Sequence, residues 1–135
     1  MMPNRWSVLL LLPLLLLLMG ARQAPLADPD PVAVPAGVTA EQVQRDIRRA
    51  LASRGWTVSD VEPGTIHATL NIRAHTAQVR IDYDRESVRI GYVSSDNLKY
   101  EEHRKKGRLI HSNYIGWVNN LARDIAVNLE LSAAG

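Results

Sequence analysis

Cysteine is absent from this 135-residue chain. Many small domains rely on disulfides; this chain must be held by its own core or by a partner. Thiol chemistry and zinc–thiolate sites are excluded with it. A basic excess is also missing from the body of the chain. The formal charge is +2, but Arg5 and Arg22 lie near the start and every acidic residue lies at Asp28 or beyond. From Asp28 onward Lys and Arg equal the 14 acidic residues in number. A nucleic-acid binder keeps its positive charge in the folded part, so that class is set aside. There is no glycine-rich phosphate loop, no Gly-x-Ser-x-Gly elbow and no paired-carboxylate motif. Nothing in the composition calls for a cofactor.

The longest apolar run, Val8 to Met19, is broken only by Pro13. It falls short of the roughly 20 residues that span a bilayer. With Arg5 before it and Gly20 and Ala21 after it, the layout is that of a secretory signal peptide. An uncleaved anchor is the alternative, and it would need a longer run. Ala21 has Met19 two residues before it and Ala27 has Pro25, so neither is a clean small-x-small cleavage site. The signal is therefore assigned to 1–27 with its cut left open. Residues 28–37 hold Pro29, Pro31 and Pro35, which predicts an extended linker. The remainder, 38–133, is expected to be one domain.

Val38 to Gly55 carries helix signals. Thr39 and Gln42 are spaced as a capping box, and Val38 and Val43 as a hydrophobic staple. Val43, Ile47, Ala50 and Leu51 make one apolar face. Gly55 is placed to end the helix, with Trp56 packing back on Leu51. Strict alternation then predicts strands around Val58, from Ile66 to Ile72, from Ala77 to Tyr83, and from Val88 to Tyr92. With Arg73–Thr76 as a four-residue loop, Leu70 faces Val79 and Ala68 faces Ile81. With Asp84–Ser87 as another, Tyr83 faces Val88, Ile81 faces Ile90 and Val79 faces Tyr92. Apolar meets apolar throughout, which specifies a register. An irregular stretch is expected from Ser94 to Ile110. A last helix follows from about Ser112 or Asn113, with Tyr114, Trp117, Val118, Leu121, Ile125 and Leu129 as its seam. The expected fold class is α+β: helix, four-stranded antiparallel meander, helix, in two layers with both helices on one face of the sheet.

Three regions are candidate sites. On the wet face of the sheet the expected register sets His67 opposite Asp82, and Asp82 opposite Arg89. A His–Asp pair can orient a proton-transfer imidazole or hold a metal. The simpler reading is a cross-strand charge ladder. The second region is the 94–114 stretch, because long structureless loops are often functional. Ser95, Asn97, Tyr100, His111 and Tyr114 are its candidate binding residues. Ser95, Asp96 and Asn97 are also good turn formers, and His111 is a natural helix-start residue. The third is the basic group Arg104, Lys105, Lys106 and Arg108, suited to anionic lipid or peptidoglycan, or simply solvated. No metal site is expected: His67 and His75, and His103 and His111, are eight apart, unlike common zinc spacings.

Ile66-His67-Ala68, Tyr92, the run Ser95-Asp96-Asn97-Leu98-Lys99-Tyr100, Ile110-His111, Tyr114, Trp117 and Asn120-Leu121 together resemble a family of small uncharacterised proteobacterial envelope proteins, many of them lipoproteins. The resemblance spans about Val38 to Leu131. It implies a bacterial periplasmic location and a helix–sheet–helix order, and no activity. The chain departs from the pattern in two places. Ala21 stands where a lipoprotein signal needs its cysteine, so no stable lipid anchor is expected. The charge run Glu101 to Lys106 lengthens the loop. The expectation is thus a periplasmic, non-enzymatic module that binds an envelope component or a protein through 94–114. Two alternatives stand beside it: a small enzyme using His67 and Asp82, and a purely structural subunit of an envelope complex.

Overall fold

The computed structural model describes residues 22–135; of the expected signal, 1–27, the first 21 residues lie outside them. The fold is α+β, with two helices and two antiparallel sheets. Helix α1 spans Ala40–Ser53 and helix α2 spans Ser112–Ala134. The strands are β1 (Gln23–Pro25), β2 (Val32–Ala33), β3 (Thr57–Glu62), β4 (Thr65–Ile72), β5 (His75–Tyr83), β6 (Ser87–Asp96), β7 (Glu101–His103) and β8 (Gly107–His111). Among the described residues no helix is long and apolar enough to cross a membrane.

Helix α1 starts as its sequence demands. The Thr39 hydroxyl accepts from the Gln42 amide at 3.1 Å, and the Gln42 side chain accepts from the Thr39 amide at 2.9 Å. Val43, Ile47 and Leu51 are fully buried, each contributing about 1.5–3 kcal/mol of apolar burial. The helix ends at Gly55, whose φ of 82° suits a residue without Cβ. The Trp56 amide then donates back to the Leu51 carbonyl at 2.9 Å.

The sheet is larger than a four-stranded meander. It has five strands in the order β2-β6-β5-β4-β3. The extra edge strand comes from the proline-rich stretch expected to be a linker: Val32 pairs with Val88 and Ala33 with Ser87. Pro31 and Pro35 flank that pairing, and an edge tolerates prolines because only one side of the strand must bond. The second sheet has three strands in the order β1-β8-β7. It is built from the stretch expected to be irregular and from residues 23–25, which fall within the segment assigned to the signal. Residues 101–111 fold as a hairpin, and Gln23, Ala24 and Pro25 pair with His111, Ile110 and Leu109. These strands are short and break strict alternation, since Leu109 and Ile110 are both buried.

The β5–β6 hairpin has the expected register: Tyr83 pairs with Val88, Ile81 with Ile90 and Val79 with Tyr92. The β4–β5 hairpin does not. Its turn has two residues, Arg73 and Ala74, so Ile72 pairs with His75, Leu70 with Ala77 and Ala68 with Val79. Arg73 takes a φ of 55°, a conformation usually given to Gly, Asn or Asp in tight hairpins. The shift is by two residues, so the same side chains face the core.

The buried sheet face, both helices, Leu98 of the turn after β6 and Ile110 of the small sheet form one core cluster. The helices are also fastened to each other by polar contacts. Asp46, 1% exposed, accepts from the Ser132 hydroxyl at 2.5 Å, and Asn128 donates to the Asp46 carbonyl. Arg54 grips Asp124 with two nitrogens, at 2.6 and 3.2 Å.

Candidate functional site

Ser95, Tyr100 and Tyr114 gather around Tyr92. Its ring stacks on Tyr100 with centroids 5.0 Å apart and meets the Tyr114 ring edge-on at 5.5 Å. Its hydroxyl and that of Ser95 share a hydrogen bond of 2.7 Å. Arg108, from β8, lies against the Tyr92 and Tyr100 rings at 5.3 and 5.6 Å. Its Nε donates to the Tyr100 hydroxyl, which in turn donates to Glu102. Arg108 is thereby separated from Arg104, Lys105 and Lys106, which form the exposed turn of the β7–β8 hairpin. Burial pushes the phenol of Tyr114, and less completely that of Tyr92, above the ordinary tyrosine range. Both stay protonated near neutrality, which suits packing and hydrogen bonding rather than proton abstraction.

Asn97 and His111 gather instead around His75. The Asn97 carbonyl accepts from His75 Nδ1 at 2.7 Å, and the Asn97 side chain reaches the Ala74 carbonyl at 3.4 Å. The His75 and His111 rings are 6.5 Å apart. Asn97 and Lys99 both have positive φ, 58° and 54°, and the double bend drives Leu98 between them into the core at 1% exposure. His111 caps α2 by accepting the Asn113 amide at Nδ1, and its own amide donates to the Leu98 carbonyl. The 94–114 stretch is thus built into the fold, and its candidate residues divide between two packed corners.

On the wet face of the sheet, Asp82 pairs with Arg89 as expected. His67 is opposite Arg80, and Asp82 is opposite Thr65. The Thr65 hydroxyl donates to Asp82 at 2.9 Å, and Arg80 Nε bonds the same carboxylate oxygen at 3.0 Å. The expected His67–Asp82 pairing is therefore corrected by the two-residue turn. Among the described residues no imidazole hydrogen-bonds a hydroxyl.

Two features are not legible in the sequence. Arg108 reads as one of a basic group, although it belongs to the tyrosine corner. Asp60 and Glu62 read as ordinary strand residues, yet they lie beside His67 on the wet face of the sheet. Their signal is the two-residue spacing on a strand that faces His67 across Pro63-Gly64. An open cleft of about 270 Å³ adjoins this group, lined by Ser59, Asp60, His67, Gln78 and Val93. The chain matches no protein-family model, and no curated protein or solved structure is significantly similar to it.

Proposed function

We propose that this chain is exported to the bacterial periplasm and acts there as a non-enzymatic binding module whose contact surface is the β7–β8 hairpin. The leader pattern, and the resemblance to small proteobacterial envelope proteins, support export. One observation carries the binding reading. The hairpin is held by Tyr100 and Arg108 at its base, while Arg104, Lys105 and Lys106 are exposed at its turn and β7 is an edge strand. His103 Nδ1 accepts the Lys105 and Lys106 amides at 3.1 and 3.0 Å, which shapes that turn. A preformed cationic tip binds an anionic partner with little ordering cost. In the envelope the matching chemistry is a carboxylate or phosphate group of peptidoglycan or lipid.

The test is an amide NMR titration of the full chain with peptidoglycan fragments and with anionic lipid micelles. Shifts confined to residues 99–108, lost when Lys105 and Lys106 are changed to Glu, are expected. Asn97→Ala and Tyr100→Ala are poorer probes, because both side chains also pack the fold. Binding that survives the double charge reversal would remove the hairpin from the contact.

A further inference from the structure

Of the four histidines, three commit Nδ1 to the backbone: His75 to the Asn97 carbonyl, His103 to the Lys105 amide and His111 to the Asn113 amide. His67 has no such bond. It stands on the wet face of the sheet, where one of its ring nitrogens and one carboxylate oxygen each of Asp60 and Glu62 all lie within 4.8 Å of one another. The backbone brings them together. Asp60 and Glu62 are two apart on β3 and so share a face. His67 is directly opposite Asp60 in the hairpin closed by Pro63 and Gly64. The bulge between Val58 and Asp60 puts the carboxylates on His67's side of the sheet.

Charge is unbalanced at this spot. Among the described residues the ion pairs are Arg45–Asp46, Arg54–Asp124 and Arg80–Asp82, so neither Asp60 nor Glu62 has a cationic partner. Arg80, opposite His67 on β5, would oppose a bound cation, but its guanidinium is already taken by Asp82 at 3.0 Å.

We propose that Asp60, Glu62 and His67 form a surface site for a divalent first-row transition ion, with zinc as the best-fitting probe. One imidazole nitrogen with two carboxylate oxygens is a donor set for such ions, whereas calcium takes six to eight oxygens. Bonds of about 2.0–2.2 Å put the ligands of a tetrahedral ion roughly 3.3 Å apart. The three donors therefore close by a short movement, which rotamer changes on an exposed strand supply. The cleft beside them leaves the fourth position to water or to a ligand from solution. This site is on the five-stranded sheet and does not depend on the hairpin reading.

Calorimetric titration of the full chain with zinc chloride tests it. One ion per chain is expected, with the ring nitrogens of His67 shifting in parallel by NMR. Asp60→Asn, Glu62→Gln and His67→Gln should each weaken binding about tenfold or more, and His103→Gln should leave it unchanged. Asp60 and Glu62 are exposed and His67 is half-buried; unaltered thermal midpoints of the metal-free variants verify their folding. Absence of binding, binding that persists in His67→Gln, or calcium bound as tightly as zinc would each overturn the assignment.

Discussion

At His111 a single ring nitrogen decides how the last helix begins. Nδ1 must be unprotonated to accept the Asn113 amide. Burial, with help from the charges of Lys99, His75 and Arg22, holds its pKa below the ordinary histidine value. The unfolded chain therefore takes up a proton at higher pH than the folded one. The stabilising effect is complete above the unfolded value, near 6.5, and is lost as pH falls from there toward the folded value. Urea unfolding midpoints should decline between about pH 7.5 and pH 5. His111→Asn, which keeps a capping side chain without a titrating ring, should flatten that decline; an unchanged slope would show that other groups cause it. Asn97 and its neighbours show the limit of reading single residues. Asn97 is recognisable as a turn former, but Lys99 and Arg73 adopt the same left-handed backbone with no hint in their side chains. Such positions cost an L-residue about 1–2 kcal/mol, and at Lys99 the burial of Leu98 beside it offsets that cost.

Among the elements, β1 and β2 change the account most. β1 lies in the segment assigned to the signal and β2 in the proline-rich linker, and both are too short to show a period. Pairing partners make them strands. The Arg22 carbonyl accepts from the Ser112 amide at 2.7 Å, and Leu26 donates to the Arg108 carbonyl at 2.8 Å. A chain beginning at Asp28 loses β1 and leaves an edge of β8 bare. It should unfold at lower urea than one beginning at Arg22, with faster amide exchange at Leu109 and Ile110. If the chain is exported, as proposed, and its leader is removed, the intact mass of the mature protein should place its first residue at Arg22 or earlier. A mass starting at Asp28 would mean that β1 is dispensable. The helices and the long strands, by contrast, are legible directly. Capping chemistry marks α1, and alternation over five or more residues marks β4, β5 and β6.

Over the whole molecule the two sheets do not make two folding units. Leu98, Ile110 and Tyr114 tie the small sheet to the large one. They belong to the same buried cluster as Ile47 of α1, Ile81 of β5, and Leu121, Ile125 and Leu129 of α2. Shared burial couples their stability. Unfolding followed by far-ultraviolet circular dichroism and by tryptophan fluorescence should give one coincident transition. A separate early step confined to residues 94–111 would show that the hairpin is an independent unit. With no disulfide to restrain the unfolded chain, stability rests on this core.

Local chemistry along the chain is enough to specify the α+β class, the two helices, the cap of α1, and which side chains of β4, β5 and β6 face inward. Those features rest on neighbouring residues and on a two-residue period, which survives a register shift of two. The same reading marks 94–114 as unusual. The β4–β5 register, however, is settled only in the folded molecule, because a two-residue turn at Arg73 looks no different from a longer one until the strands pair. Folding also places Tyr92, Tyr100 and Arg108 together, and Asp60 and Glu62 beside His67. Such groupings are made by residues far apart in the chain or across a bulge, and no local pattern specifies them.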